Sequence, residues 1–335
     1  MPAFDQVISE FARFLSHSQL ALQATDVRVV FSNPVIDTPI FAIPDVHLCD
    51  GAMGDIFLNG TPEKATALAG TMRAIYEYQE MHPQSSRAVQ LGDWFDIWRV
   101  CGKDPMSMAF GAIENAQAFA DILDYDARIG LAHVIGNHDA GFLNAVPNRR
   151  AAQAKFFRLG FWLGHNVYAL HGHQTSIAPP PNKRFDEVVV HIANLLGNFI
   201  PGVTKIQEFI DKQQIVDELK IWLRDLYTGS HEDTGPHLRP RDRSNLPAQL
   251  KAGDFVVRED LDALAAVVAQ VEQLPGSQGR EADLLLVGHS HVPCASWSDA
   301  GGGRPLVVVD AGAWVYGQSN IAIAAGDTVA VFDIV

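Results

Sequence analysis

Six short apolar runs rich in Val, Ile and Leu punctuate the chain, at residues 39–44, 87–91, 131–135, 167–170, 284–287 and 305–309. Each is bounded by turn-forming residues, and a short, largely apolar run of this kind reads as a buried strand. Between the runs the apolar spacing becomes helical. Thr61-Pro62-Glu63 offers an N-cap, a proline at the first helical position and a first-turn acid; the periodic stretch behind it reaches Met81, and Pro83 forbids continuation. A second helix is predicted over about 107–127, and residues 1–19 form an amphipathic helix in which Asp5, Glu10 and Arg13 interrupt the apolar positions. Strands alternating with helices over the first 170 residues predict an α/β domain with largely parallel pairing. The last segment changes character: residues 321–325, the turn Gly326-Asp327 and residues 328–335 predict a hairpin that closes the sheet with antiparallel strands.

The stretch between His171 and His289 is too long for a simple connection, so an insertion is expected there. From Phe185 to Tyr227 apolar residues recur at helical spacing, as in Val188, Ile192, Leu195, Leu196 and Phe199, and Pro201-Gly202 breaks the run in two. This predicts a small helical cap. Beyond it, residues 230–245 mix His231, His237, Arg239, Arg241 and Arg243 with prolines and glycines, a loop with local positive charge. The expected organisation is a core made of residues 1–175 and 250–335, with the cap and arginine-containing loop at 176–249.

Composition narrows the functional classes. Hydrophobic residues at 47% and charged ones at 19% give an ordinary globular balance with a sizeable core. Acidic residues outnumber basic ones, 39 against 25, and the net charge of −14 disfavours an extensive nucleic-acid surface or anionic membrane. The charges in residues 1–19 break any secretory h-region, and no segment has the ~18 to 20 uncharged apolar residues that span a bilayer. Cys49, Cys101 and Cys294 are too few and scattered for a disulfide framework. A soluble, cytoplasmic protein with free cysteines is expected, with its oligomeric state left open.

The candidate chemistry sits in five polar clusters, each just after an apolar run: Asp45-Val46-His47, Gly92-Asp93-Trp94-Phe95-Asp96, Gly136-Asn137-His138-Asp139, His171-Gly172-His173 and Gly288-His289-Ser290-His291. One such cluster would read as a capping acid or a polar turn. Five at the carboxyl ends of strand-like segments supply oxygen and nitrogen donors suited to two hard or borderline metal ions. Alternate residues on extended backbone point the same way, so Asp45/His47 and His289/His291 would each share a direction if their backbone is strand-like. The flanking glycines would let backbone approach a metal or phosphate closely. Trp94, Phe95 and Trp98 read as core covering the metal loop, and Cys49 and Cys294 as packing.

In this order the clusters resemble the calcineurin-like metallophosphoesterase superfamily. The resemblance implies a two-sheet β-sandwich flanked by helices (αββα), here with a helical cap inserted. It implies one metal held by Asp45, His47, Asp93 and His291, and a second held by Asp93, Asn137, His171 and His289, with Asp93 as the bridge. A hydroxide bridging the two metals would then attack phosphorus. His138 would act as general acid, with Asp96 as its carboxylate partner. Gly92 to Trp98 and the helical insertion are similar to the UDP-diacylglucosamine hydrolase branch, whereas His138 follows the general phosphatase and phosphodiesterase pattern.

The implied cofactors are two divalent metal ions, manganese first, with iron and zinc also suited to this donor set. The implied partner is a small phosphorylated or nucleotide-linked substrate. Arg99 and His173 are candidate phosphate contacts, and Arg239 and Arg241 candidate substrate contacts from the cap side. Two alternatives stand beside this reading: a nuclease of the same superfamily, and a non-catalytic scaffold that binds protein.

Overall fold

The computed structural model describes residues 2–49, 57–58, 62–83, 85–96, 117–136, 157–158, 160–172, 247–251, 264–265, 267–269, 271–272, 277–298 and 306–335. Of the expected cap and arginine-containing loop at 176–249, residues 176–246 lie outside them.

The chain opens with helix α1 (Phe4–Ser16), strands β1 (Leu22–Phe31) and β2 (Ile36–Ile43), helix α2 (Glu63–Met81) and strand β3 (Arg87–Gln90). Helix α3 (Ala120–Ile129), strands β4 (Ala132–Val134), β5 (Phe157–Arg158), β6 (Gly160–Trp162), β7 (Val167–Leu170) and β8 (Pro247–Lys251) follow. The chain ends with β9 (Leu284–Val287), β10 (Cys294–Ser298), β11 (Leu306–Asp310), β12 (Asn320–Gly326) and β13 (Thr328–Ile334). Among the described residues these form an eight-stranded sheet in the order β5-β4-β3-β2-β12-β13-β1-β8 and a five-stranded sheet in the order β10-β11-β9-β7-β6. β8 begins at Pro247, inside the last residues of the segment expected to be inserted.

Alternation along each strand divides the core into layers. On β12, Ile321 and Ile323 join the cluster that contains α1 and α2, while Ala322 and Ala324 join the cluster shared by the two sheets. On β9, Leu284 and Leu286 face the first sheet, and Leu285 and Val287 pack with Leu264, Ala265, Val268 and Val271, from a segment that is helical where it is described. Successive strand side chains point to opposite faces, so strands apolar at every position must be covered on both sides. The result is the helix–sheet–sheet–helix layering expected from the motifs.

Helix α1 buries Phe4, Val7, Phe11, Phe14 and Leu15, a stripe at helical spacing. Phe41 of β2 lies between Phe11 and Tyr78, with ring centroids 4.8 and 4.9 Å away, and so joins both helices to the sheet. α3 ends on Gly130 in the left-handed region, φ +63°, from which the chain turns directly into β4.

Pairing is more mixed than expected. β2, β3, β4 and β5 are mutually parallel, as are β7, β9 and β11, and the terminal hairpin β12–β13 is antiparallel. β1 was not visible as an apolar run: Thr25, Asp26 and Arg28 break it, because much of this strand is only half-buried. Helix α2 starts at Glu63 with Pro62 as its N-cap and no side-chain capping bond, one residue later than expected; Thr61 lies outside the described residues. No helix among the described residues is long and apolar enough to cross a membrane.

The parallel strands matter for function. β2 and β3 of one sheet and β7 and β9 of the other carry polar clusters at their carboxyl ends, where crevices form in α/β sheets, and β4 is followed in sequence by the Gly136-Asn137-His138-Asp139 cluster.

Candidate metal centre

Asp45 and His47 follow β2, Asp93 follows β3, His171 follows β7, and His289 and His291 follow β9. Among the described residues these six side chains converge in two groups: Asp45 with His47 and His291, and Asp93 with His171 and His289. Within each group the donor atoms lie within 4.8 Å of one another.

One carboxylate oxygen joins the groups. Asp93 Oδ2 stands 3.6 Å from His47 Nε2 and 3.3 Å from His171 Nε2. Around the first group, His291 Nε2 lies 3.1 Å from Asp45 Oδ2 and 3.2 Å from His47 Nε2. Asp45 also reaches the second group: both its oxygens accept the His289 N–H, at 3.1 and 3.0 Å, and Oδ1 is 3.7 Å from His171 Nδ1.

Other bonds fix which atoms face the centre. His171 Nδ1 donates to the Leu91 carbonyl at 2.8 Å, which leaves Nε2 directed at Asp93. Anchoring the far ring nitrogen on a carbonyl is the usual way a ligand histidine is held in one tautomer. Asp96 Oδ2 lies 3.6 Å from His47 Nδ1, so this buried carboxylate stands beside a candidate ligand.

The backbone at the ligands is not strand-like, contrary to the extended geometry entertained from sequence. His47, His289 and His291 adopt φ of +58°, +78° and +60°, and Asp93 +51°. The amides of both Val46 and His47 bond the Asp93 carbonyl, at 3.1 and 2.8 Å, which requires the chain to fold over rather than run straight. As a result His289 and His291 serve different groups. Non-glycine residues in this region cost about 1–3 kcal/mol each and persist only where their surroundings hold them.

Close backbone approach completes the cradle. A Cβ on Gly92, whose φ is +106°, would overlap the His171 ring; one on Gly136 would overlap Asp93, and one on Gly288 would overlap Asp45. The donor set is oxygen and imidazole nitrogen, buried at Asp45, His47, Asp93 and His171 and partly open at His289 and at His291, whose side chain is 24% exposed. Two carboxylates and four imidazoles packed so closely fit divalent cations, which would offset the carboxylate charge that the buried site concentrates.

Titration follows from this packing. Burial would raise the Asp45 carboxyl, but the His171 and His291 rings outweigh it and hold its pKa below the ordinary value. Burial would lower His171, yet Asp93 and Asp45 overcome it and lift its pKa to about 10. Burial and the neighbouring His171 push His289 down to about 4. Without metal, a proton on His171 stands in for part of the cationic charge.

Three supporting residues were not singled out from sequence. Asp310, at the end of β11, accepts the Gly312 N–H at 2.8 Å and the Ser290 N–H at 3.3 Å, pinning the loop between His289 and His291; burial raises its pKa well above the usual range. Trp314 N–H donates to the Asp45 carbonyl at 2.7 Å, and its own carbonyl accepts from the buried Lys64 Nζ at 3.0 Å. An acid closing a Val-rich run just before a glycine turn was the available signal for Asp310. Trp94 and Phe95 are buried in the helix-side core, as expected, and Cys49 and Cys294 are buried too. Asn137, His138, Arg99, His173, Arg239, Arg241, Trp98 and Cys101 lie outside the described residues.

No family model matches the chain, and no curated protein matches it. Solved structures similar to it include a conserved protein of Streptococcus pneumoniae described as a predicted phosphoesterase, at 12% identity and TM-score 0.27, covering 85% of this chain and 81% of that one. A metallophosphoesterase from Sphaerobacter thermophilus is similar at 13% identity and TM-score 0.25, covering 88% of this chain and 87% of that one. A 5'-nucleotidase precursor from Thermus thermophilus is similar at 13% identity and TM-score 0.32, covering 88% of this chain and 54% of that one.

Proposed function

We propose that this protein is a dinuclear metal-dependent phosphoester hydrolase acting on a small phosphorylated or nucleotide-linked molecule. The observation that carries the reading is Asp93 Oδ2, set between His47 Nε2 at 3.6 Å and His171 Nε2 at 3.3 Å, one histidine from each ligand group. A carboxylate in that position is the spacer a two-metal site needs. Asp45, His47 and His291 would hold one ion and His171 and His289 the other, with Asp93 shared and Asn137 added to the second. When bound, such a pair supplies a nucleophile at neutral pH and neutralises phosphoryl charge. Manganese, iron and zinc all suit these donors, and manganese is the first choice to test.

The remaining steps belong to the chain's own groups. His138, next to Asn137 in sequence, is the proposed donor of the proton that the leaving oxygen requires, a contribution of about 10²- to 10⁴-fold. Asp96 is the proposed carboxylate that steadies imidazole in the site; its 3.6 Å separation from His47 Nδ1 favours His47 as one ring it orients. Arg99, His173, Arg239 and Arg241 are proposed phosphate and substrate contacts. A scaffold without catalysis gains nothing from six converging donors, and a net charge of −14 opposes the nuclease alternative.

The test is a screen of phosphomonoesters, cyclic nucleotides, nucleotide sugars and DNA against protein reconstituted with manganese. Metal-dependent release of phosphate or of a nucleotide product supports the reading; no hydrolysis of any of these by protein carrying two ions refutes it.

A further inference from the structure

Beside the metal centre an exposed aromatic side chain occupies a turn position that bulky residues rarely take. Residues Ala313, Trp314 and Val315 are fully buried, and the next residue, Tyr316, is 59% exposed. Tyr316 and Gly317 both have positive φ, +51° and +87°, and the Gln318 N–H bonds the Val315 carbonyl at 3.0 Å. This is a tight turn with left-handed residues at both central positions, where Asn, Asp or Gly is the usual choice. A bulky side chain with positive φ is a rare outlier, and such conformations concentrate at functional sites.

The ring is held next to a ligand. Its centroid lies 6.1 Å from that of His291, at an interplanar angle of 44°. His291, 24% exposed, is one of the two candidate ligands at which the centre is partly open. The exposed Val292, at 46%, follows His291 directly. Its loop abuts the loop after β11, since a Cβ on Gly312 would lie 2.7 Å from Pro293 Cγ. The exposed ring of Tyr316 therefore stands beside His291, on a partly open side of a site otherwise lined with charged donors. Metal ligands can hold a phosphoryl group; an exposed ring in this place suits a flat ring attached to it, because an aromatic face stacks on any planar base.

We propose that Tyr316 is a specificity-determining residue that stacks against the planar ring of an aryl or nucleoside phosphate whose phosphoryl group occupies the metal centre. The proposal rests on the phosphoester hydrolase reading and narrows its substrate class.

The experiment compares adenosine monophosphate with ribose phosphate, which keeps the alkyl ester and lacks the base, using manganese-loaded wild type, Tyr316→Ala and Tyr316→Phe. Tyr316→Ala should raise KM for adenosine monophosphate about tenfold, leave kcat and the metal content unchanged, and leave ribose phosphate unaffected. Tyr316→Phe should behave as wild type, since the ring and not the hydroxyl makes the contact. Equal effects on both substrates, or none, overturn the proposal while leaving the hydrolase reading intact. Dissociation constants of both compounds, measured by calorimetry, provide a readout independent of turnover. If wild type hydrolyses neither compound, tighter binding of adenosine monophosphate that is lost in Tyr316→Ala sustains the stacking role; equal binding of the two compounds, or a preference that Tyr316→Ala retains, overturns it.

Discussion

Asp45 accepts the backbone N–H of His289 with both carboxylate oxygens, at 3.1 and 3.0 Å, tying the loop after β2 to the loop after β9. The same carboxylate sits in the ligand group of His47 and His291. It thus supports one cation site directly and the other through the backbone of His289. Loss of an outer contact typically weakens metal binding about 10- to 100-fold. Asp45→Ala should weaken the first site by more than about 100-fold and the second by about 10- to 100-fold, whereas His47→Ala should lose one tight site and keep the other. Titration against a chelating indicator distinguishes the two patterns; equal behaviour of the variants would separate Asp45 from the second site.

His171 links metal binding to pH. Its pKa near 10 in metal-free protein means that an incoming ion displaces a proton at neutral pH. Metal affinity should therefore rise with pH across the range from about 7 to 10. Calorimetry in buffers of different ionisation enthalpy should detect about one proton released through His171. Stability has the opposite sign. The folded pKa lies above the ordinary 6.5, so the contribution of protonated His171 is full below 6.5 and fades as pH climbs to about 10. The Tm of metal-free protein should fall over that interval, and the fall should vanish in His171→Asn.

Gly92 gives a test of the cradle. At φ +106°, with the His171 ring occupying the space a Cβ would need, Gly92→Ala combines backbone strain with displacement of a ligand. Gly279 has φ +75° and open space around it, so Gly279→Ala incurs the backbone term alone, on the order of 1 kcal/mol. Gly92→Ala should lower Tm further than Gly279→Ala and should also abolish stoichiometric metal binding. Equal Tm losses with full metal retention in both would show that the close approach to His171 is unimportant.

Much of the site was legible because chemistry and position coincide in the sequence. Asp45, Asp93, His171 and His289 each follow an apolar run that is a strand in the structure, so order along the chain predicted order around the crevice. The conformation of the ligands was not legible. Local pattern suggested extended pairs, but tertiary bonds such as those from Val46 and His47 to the Asp93 carbonyl hold His47, His289 and His291 in the left-handed region. β1 was missed for a related reason: Asp26 and Arg28 hide its periodicity, and its place comes from pairing with β13, a partner from the far end of the chain. Lys64 and Trp314, likewise, acquire meaning only when α2 and the loop after β11 meet.

The central claim is that Asp93 bridges two ions. Electron paramagnetic resonance of manganese-loaded protein, read together with elemental analysis, tests it most directly. Two ions per chain with a magnetically coupled spectrum, and loss of that coupling in Asp93→Ala, is the predicted result. One ion per chain, or two uncoupled ions whose spectrum Asp93→Ala leaves unchanged, would contradict it.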